Sequence, residues 1–409
     1  MKLLIILDSG FDTYGPSLHL YNALIEDLLL SGIEVHLIES HSTGNMPDAP
    51  QSLAKYKNFS FETIKKSVVP KKKFAKRYFS GVSYSLRVNK ALKKHRNSFD
   101  AVMMQSCPWA PIMATIIKKR INAPLLWNIQ DMFPGSSIAN GVMTNKLMQK
   151  IFFKLHKVAY KKADYITVIS DDMKEKVIQQ GVPKEKITVI VNWFDDQSVH
   201  EVEKSNNKFI DKYNLKKDLF YVQFAGTMGF NFDYKFVLSV AKLLIDYKKI
   251  CFQMIGFGSQ KGIFEFEAKK MGLTNISFYP LQSQDMVSDV YSACDVCIIP
   301  LPSGVIGNSV PSKAGLLMAC KRPIITSSDV GSAYNEMINN NKIGFAFGSD
   351  EYEKASDAIL QLFKNPSLCK EMGLNGYKYG HELYSRKCNT RKYIELFSSI
   401  YENSSKCLK

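Results

Sequence analysis

Short apolar runs alternate with helical patterns along the first half of the chain. The run LLIIL at residues 3–7 ends in the loop DSGFDTYGPS, and a helical pattern that closes at Gly32 leads to a second run, EVHLIES. Four more apolar runs follow, at residues 100–106, 124–131, 164–170 and 187–193. Apolar strands covered by helices are typical of parallel sheets. The pattern predicts a parallel α/β domain, which we assign to residues 1–198.

The same rhythm restarts after a polar and charged stretch at residues 199–214, which we interpret as a linker. Five strands are predicted in the second half, at residues 219–226, 250–256, 275–279, 295–300 and 323–326. The first two lead into glycine loops, GTMG and GFGSQK. Ligands of such sheets bind beyond the carboxyl ends of strands, and two facing domains would form a cleft. We therefore predict a second α/β domain at residues 215–380 with ligand-binding glycine loops.

The stretch SGVIGNSVPSKAGLLMACKRPIITS, residues 303–327, has the pattern of a loop, a helix and a buried strand. Pro311 suits the first position of a helix, where a missing N–H costs nothing. The free amides of Ser312 and Lys313, the helix dipole and the Lys313 ammonium would form an anion site there. A helix cap with a solvated lysine is the alternative. The sequence indicates a phosphate-binding helix start and leaves both interpretations open.

The net charge of the chain is +16, from 54 Lys and Arg against 38 Asp and Glu. This excess favours an anionic partner, such as nucleic acid, an anionic membrane or a phosphorylated small molecule. Basic residues alternate with aromatic ones in residues 62–98, which is typical of a membrane-surface helix or a single-strand nucleic-acid binder. A solvated helical face is the alternative. No nucleic-acid-binding motif accompanies the charge, so we expect an anionic membrane surface and no nucleic acid.

Eight cysteines are scattered along the chain, and only Cys294 and Cys297 form a CxxC pair. No second pair and no His-x-x-x-His follows, so we expect buried thiols there and no zinc site. The lack of a disulfide framework fits a reducing compartment. We expect no signal peptide, because the apolar N-terminal run is short and no small-residue cleavage site follows it. We expect no membrane span, because no uninterrupted apolar run approaches the length that crosses a bilayer. The prediction is a cytoplasmic protein, soluble or peripheral.

Several ordered motifs resemble those of glycosyltransferase family 4. Residues 164–195 resemble the last part of that family's N-terminal domain, and QDMFPG at residues 130–135 resembles a stretch of its bacterial surface-polysaccharide branch. Four motifs match its C-terminal domain in order and spacing: FAGTMG (224–229), MIGFG (254–258), YSACDVCIIPL (291–301) and VPSK…MACKRPII (310–325). The resemblance covers nearly the whole chain.

This resemblance implies the α/β GT-B fold, with two Rossmann-like doubly wound domains facing a central cleft. A C-terminal helix at residues 381–409 would cross back to the N-terminal domain. The implied reaction is the retaining, metal-independent transfer of a hexosyl or N-acetylhexosaminyl group from a nucleotide sugar, expected to be a UDP-sugar, without a further cofactor. The acceptor would be a polyprenyl-diphosphate-linked saccharide in capsule, O-antigen or exopolysaccharide synthesis. The protein would then be peripheral at the inner face of the cytoplasmic membrane.

The resemblance also assigns roles to individual residues. The expected donor-binding residues are Gly226, Gly229, Lys235, Gly256, Lys261, Asn308, Pro311, Ser312 and Lys313. The expected acceptor-binding residues are Gly15, Ser17 and Asp131. Asp131 and Lys313 are expected to act in catalysis, because an ammonium beside the leaving diphosphate would stabilise the charge that develops on it.

Several positions depart from the family pattern. Asn308 and Leu316 replace its two glutamates, and Leu316 cannot bind ribose hydroxyls as the second glutamate does. Lys321 stands where glycine is usual. Phe230 stands where a basic residue is usual, and two substitutes are available, Lys235 and Lys261. These departures keep two alternatives open: a non-catalytic subunit of the same fold that binds a nucleotide sugar, and a sugar-nucleotide epimerase.

Overall fold

The computed structural model describes residues 1–11, 17–42, 51–69, 73–308, 311 and 313–406, apart from the side chains of residues 51, 405 and 406. The chain divides into two compact units. The first combines Met1–Val191 with Asn389–Lys409, and the second is Asn192–Cys388. Within the described residues, no helix has both the length and the apolar character that crossing a bilayer requires.

A parallel sheet forms the centre of the first unit. Its strands are β1 (Lys2–Ile6), β2 (Glu34–His41), β3 (Phe59–Lys65), β4 (Ala101–Gln105), β5 (Leu125–Ile129), β6 (Tyr165–Val168) and β7 (Ile187–Val189). Their order is β3-β2-β1-β4-β5-β6-β7, and all neighbours are parallel. The predicted parallel α/β domain is confirmed. Strand β3 escaped prediction because it is a half-buried edge strand, and its sequence FSFETIK contains no continuous apolar run.

Helices connect the strands of this sheet. They are α1 (Leu18–Leu30), α2 (Gln51–Ala54), α3 (Phe74–Ala91), α4 (Ala110–Arg120), α5 (Gly135–Ala139), α6 (Lys146–Lys162) and α7 (Asp171–Gln179). In α1, Leu20, Leu24 and Leu28 are buried. Their spacing of four residues turns one face of the helix to the core, and each buried leucine contributes roughly 1.5–3 kcal/mol.

The second unit contains a parallel sheet of its own. Its strands are β8 (Phe220–Thr227), β9 (Ile250–Phe257), β10 (Ile276–Tyr279), β11 (Val296–Pro300), β12 (Ile324–Ser327) and β13 (Gly344–Phe347). Their order is β10-β9-β8-β11-β12-β13. The five predicted strands are present, whereas the edge strand β13 was missed. Cys294 and Cys297 are buried free thiols, as predicted.

The helices of the second unit begin within the stretch that we interpreted as a linker. They are α8 (Lys208–Lys212), α9 (Tyr234–Leu243), α10 (Lys261–Lys270), α11 (Val287–Ser292), α12 (Lys313–Ala319), α13 (Ala333–Asn340), α14 (Tyr352–Lys364) and α15 (Pro366–Leu383). Phe209 and Ile210 of α8 are buried in the core of this unit. Asn207 caps α8 and donates a hydrogen bond to the Asp289 carbonyl, at 2.7 Å. Residues 207–212 are therefore packed structure, although their composition is mostly polar.

The last helix, α16 (Arg386–Lys406), begins in the second unit and continues in the first. Tyr393, Phe397 and Ile400 of this helix are buried. The Asn128 amide of β5 donates a hydrogen bond to the Tyr393 hydroxyl, at 2.6 Å. The end of the chain thus completes the core of the first unit.

Candidate functional site

Lys313 is the first residue of α12, and its side chain is half-buried. The ammonium lies over the Phe224 ring, 3.9 Å from the ring centroid, and the side chain crosses the backbone at Gly226. It forms no ion pair with a carboxylate of the residues that the structure describes. Burial lowers the pKa of Lys313 to about 7, because the packed ammonium loses hydration. An anion that enters this site would find a cation without a competing partner.

Two glycines make room for this lysine. Gly226 and Gly256 are paired in register between β8 and β9, with φ of +143° and +142°. A Cβ on Gly226 would overlap the end of the Lys313 side chain, and a Cβ on Gly256 would overlap the Gly226 carbonyl. The structure shows no such approach at Gly229, where a Cβ would meet only Thr227, at 3.6 Å. Gly226 therefore lies against the Lys313 side chain and Gly256 against the Gly226 backbone, while the donor contacts expected of Gly226, Gly229 and Gly256 stay predictions.

The two substitute lysines lie in different environments. Lys261 donates hydrogen bonds to the carbonyls of Gly256 and Tyr279, at 3.0 and 3.3 Å, and thereby fixes the ends of β9 and β10. Lys235 is exposed in the first turn of α9. The structure therefore gives Lys261 a structural contact and leaves the Lys235 side chain in solvent.

A capped loop precedes α12. The Asp329 carboxylate accepts hydrogen bonds from the amides of Gly304 and Ile306, at 2.7 and 3.1 Å. The Asn308 amide donates to the Gly304 carbonyl, at 3.0 Å, so this side chain stabilises the loop. Pro311 precedes the helix rather than occupying its first position, because α12 begins at Lys313. Ser312 lies outside the described residues.

The departures from the family pattern are accommodated locally. Lys321 has a φ of +54°, the left-handed conformation that glycine readily adopts after a helix. Its ammonium lies 2.9 Å from the Glu201 carboxylate, which also pairs with Arg322. The ion pair holds the Lys321 side chain beside Glu201. Leu316 is half-buried and packs against the apolar core, so it offers no polar group to a ligand.

The two described acceptor candidates, Ser17 and Asp131, follow strands β1 and β5 of the first unit, on either side of β4. Ser17 follows β1, and its hydroxyl accepts a hydrogen bond from Gln105 at the end of β4, at 3.4 Å. Asp131 is exposed and follows β5. Gly15 lies outside the described residues. The sheet order places the ends of β1, β4 and β5 side by side.

A partly buried ion pair at the same sheet edge was not predicted. The Lys66 ammonium lies 2.7 Å from the Asp8 carboxylate and 4.5 Å from the centroid of the Trp109 ring. Burial raises the pKa of Asp8, although Lys66 and Trp109 oppose that shift. The Asp8 amide donates to Gln105, at 2.8 Å, so Gln105 links this pair to Ser17. The polar loop after β1 was the available signal, but the pairing depends on β3, which we did not predict.

The basic segment at residues 62–98 contains the end of β3 and all of α3. Phe74 and Tyr78 of α3 pack against the Phe152 ring of α6, with centroids 5.8 and 5.3 Å away. Both rings are partly buried and contact protein. Phe79 is 71% exposed. The exposed aromatic surface of α3 is smaller than its sequence suggests.

Helix α6 exposes a two-part surface that the sequence analysis missed. One side is an apolar stripe of Leu147, Met148, Ile151, Leu155 and Val158. Beside it, at helical spacing, is a basic stripe of Lys146, Lys150, Lys154, Lys157 and Lys161. The opposite side of the helix, with Phe152 and His156, is buried. The helix contains no acidic residue, and an apolar stripe bordered by lysines is typical of helices that lie in a membrane interface.

Both units match models of known protein families. Residues 19–198 match the model "Glycosyltransferase Family 4", and residues 205–379 match "Glycosyl transferases group 1". "Probable glycosyltransferase WbjE" of Pseudomonas aeruginosa is 26% identical over 222 residues, which are 53% of this chain and 54% of that protein. WcaI of Escherichia coli K12, named for colanic acid biosynthesis, is 27% identical over 42% of each chain. The chain spans about half the length of these curated relatives.

A solved structure of similar fold is that of Anabaena Alr3699/HepE in complex with UDP-glucose. It aligns with 97% of this chain and 99% of its own, with a TM-score of 0.71 and 14% identity. At that identity the likeness shows the fold alone. The two parallel α/β units have the GT-B fold of glycosyltransferases, so the predicted fold class is confirmed.

Proposed function

We propose a reaction from the premise that this chain belongs to the family 4 and group 1 glycosyltransferases, whose models match its two units. The reaction is the transfer of a sugar from a UDP-sugar to a saccharide acceptor with retention of configuration. The observation that carries the proposal is the half-buried Lys313 ammonium beside Gly226, at the carboxyl end of β8. The structure of HepE with UDP-glucose, which has a similar fold, supports a nucleotide-sugar donor.

Lys313 would bind the diphosphate of the donor. An approaching diphosphate raises the pKa of Lys313 from about 7 and thereby favours the ammonium form. The ammonium then stabilises the negative charge that develops on the leaving diphosphate, without a metal ion. Asp131, with Ser17 at the same sheet edge, would orient the acceptor hydroxyl.

The acceptor would be a lipid-linked saccharide of a bacterial surface polysaccharide. The names of the relatives support this class, since WcaI is named for colanic acid biosynthesis. The two-part surface of α6 supports a membrane-bound acceptor, because that surface would hold the first unit on an anionic bilayer. The protein would then be peripheral at the inner face of the cytoplasmic membrane.

A nucleotide screen tests the donor. UDP-sugars and dTDP-sugars are expected to raise the melting temperature more than GDP- or CMP-sugars, and a ligand at 100 times its Kd adds about 2.7 kcal/mol. Because Leu316 offers the ribose no polar partner, UDP should be preferred over dTDP by less than about a hundredfold, on the order of 2.7 kcal/mol. A larger preference for UDP would contradict the inference that Leu316 leaves the ribose without a polar partner.

The same samples separate the alternatives. Transfer of the sugar to a lipid-linked saccharide, with the anomeric configuration retained, is the expected outcome. Binding without turnover would favour a non-catalytic subunit. We consider this alternative because Asn308 and Leu316 replace both glutamates of the family. Isomerisation of the nucleotide sugar with no acceptor present would identify an epimerase.

Replacing the five lysines of the α6 basic stripe by glutamine should release the protein from anionic vesicles. Each basic residue near such a surface contributes about 1 kcal/mol, so the loss of five is decisive for a reversible attachment. Co-sedimentation with phosphatidylglycerol vesicles across a salt series measures it. A second variant tests the membrane contact expected of residues 62–98: neutralising Lys71, Lys72, Lys73, Lys76 and Arg77 should also release the protein from these vesicles. Lys71 and Lys72 lie outside the described residues.

The matched control removes the same charge from exposed positions of the second unit: Lys216, Lys217, Lys242, Lys248 and Lys269. This control should still pellet with the vesicles and should bind the donor normally. Equal release of control and α6 variant would mean that net charge alone holds the protein on the membrane. If wild type ignores anionic lipid at low salt, α6 is a solvated surface.

A further inference from the structure

Three potential metal ligands meet at the β2–β3 edge of the first unit. They are His36 of β2, Glu62 of β3 and His95, which follows the 3-10 turn after α3. Each offers one ligand atom, and these atoms all lie within 4.8 Å of one another. Glu62 Oε1 is 3.7 Å from His36 Nε2 and 3.3 Å from His95 Nε2. The proposed sugar transfer assigns no role to these three side chains.

His36 is only 8% exposed, and its Nε2 has no hydrogen-bond partner among the described residues. Its Nδ1 lies 2.8 Å from the Ser60 hydroxyl, the residue opposite it in the β2–β3 pairing. When Nδ1–H donates to Ser60, the Nε2 lone pair points toward the Glu62 carboxylate, and two acceptors face each other. A buried polar atom in this state is costly unless a partner intervenes. A cation between the two groups would satisfy both.

The spacing fits a zinc ion. Zinc binds imidazole nitrogen and carboxylate oxygen at about 2.0–2.2 Å, which at a tetrahedral angle places neighbouring ligand atoms about 3.3 Å apart. The two distances to Glu62 are close to that value. Phe99 lies 5.7 and 5.4 Å from the rings of His36 and His95, so both imidazoles are held by packing.

We propose that His36, Glu62 and His95 bind a Zn²⁺ ion in the first unit, with water in the fourth position. His95 and Glu62 are partly exposed, so water and the ion reach the site. Lys94 lies 2.7 Å from Glu62 Oε1 and is mostly exposed; its ammonium turns to the other carboxylate oxygen or to solvent when the ion binds. The Ser60 hydroxyl fixes the His36 tautomer, as outer-shell partners of metal ligands do.

The ion would stabilise the outer edge of the sheet by joining β2, β3 and the segment after α3. Strand β3 is the outermost strand, is half-buried, and carries Glu62 next to the central part of β2. His95 belongs to the segment that leaves α3. A metal that joins the three elements would stabilise the edge that also positions Lys66 against Asp8. This site is structural and separate from Lys313, which belongs to the second unit.

Titration of the full-length protein with Co²⁺ and Zn²⁺ tests the proposal. After treatment with a chelator, wild type should bind one Co²⁺ with the visible absorption of a four-coordinate ion, and Zn²⁺ should displace it. His36→Gln, Glu62→Gln and His95→Gln should each weaken Zn²⁺ binding by more than about tenfold, since even the loss of an outer-shell partner costs about 10–100-fold. Competition with a chromophoric chelator measures this affinity.

Two control variants keep the test sharp. Lys94→Ala removes the ion pair with Glu62 but keeps all three ligands, so it should bind Zn²⁺ at least as tightly as wild type. His381→Gln removes a histidine of the second unit and should have no effect. Substitution of the buried His36 can disturb folding, so His95→Gln provides a ligand variant at a partly exposed position. Circular dichroism checks that each variant folds.

Thermal melting gives a second measurement. Zn²⁺ should raise the melting temperature of wild type and of Lys94→Ala but not of His95→Gln, because an ion that binds only the native state stabilises it. Wild type that binds neither Co²⁺ nor Zn²⁺ would overturn the proposal. Equal Zn²⁺ affinity in wild type, Glu62→Gln and His95→Gln would overturn it as well, since the cluster would then be only an ion pair.

Discussion

Lys313→Ala is expected to lower turnover sharply, at a cost of about 2–4 kcal/mol in the transition state, as for other fixed groups that stabilise developing charge. The ammonium is held between the Phe224 ring and the Gly226 backbone and has no carboxylate partner in the described structure. It is therefore available to a diphosphate without first breaking an ion pair. Donor binding should weaken in the same variant. Steady-state kinetics and titration with the nucleotide measure the two effects.

Lys242→Ala is the matched control, because Lys242 is an exposed lysine of the same unit with no expected contact to the donor. It should keep wild-type kinetics. Wild-type kinetics in Lys313→Ala would refute the assignment of Lys313.

The pH dependence gives a further check on Lys313. The pKa of about 7 means that the free protein loses the ammonium as the pH rises through that value. A bound diphosphate raises the pKa, so the affinity for the nucleotide should fall above about pH 7, by at most about tenfold per pH unit. Lys313→Arg keeps its charge throughout this range and should remove that dependence.

Gly226→Ala should both destabilise the second unit and impair donor binding. The φ of +143° is accessible to glycine and strained for alanine, a strain of about 1–3 kcal/mol. The added Cβ would also overlap the Lys313 side chain, so the ammonium must leave its position over Phe224. Thermal denaturation measures the first effect, and nucleotide titration of the folded variant measures the second.

Gly229→Ala is the comparison for this substitution. Gly229 lies in the same loop, but a Cβ there meets Thr227 at an ordinary distance of 3.6 Å. Its stability should stay close to wild type, and the Lys313 side chain should keep its position over Phe224. If both variants behave alike, the glycines are interchangeable turn residues and the close approach at Gly226 has no consequence for the ligand.

The fold followed from the sequence wherever strands are buried on both faces. Such strands, for example β1 and β11, require continuous apolar runs, and those runs are visible in one dimension. Strand β3 and the helix α8 carry weaker patterns, because β3 is only partly covered and α8 has just two buried apolar residues. Their place in the fold is set by partners that are distant along the chain.

Some features of the candidate site were likewise visible in the sequence, and others depend on the tertiary structure. The sequence by itself determined the glycine loops and the lysine at the start of α12, because a turn after a strand and a helix start are local features. Only the tertiary structure decided that Lys313 crosses Gly226, that Lys66 pairs with Asp8, and that His36, Glu62 and His95 meet. Those contacts join residues of different elements, for instance 58 positions apart for Lys66 and Asp8. Their geometry depends on the order of strands in the sheet, which composition and spacing do not specify.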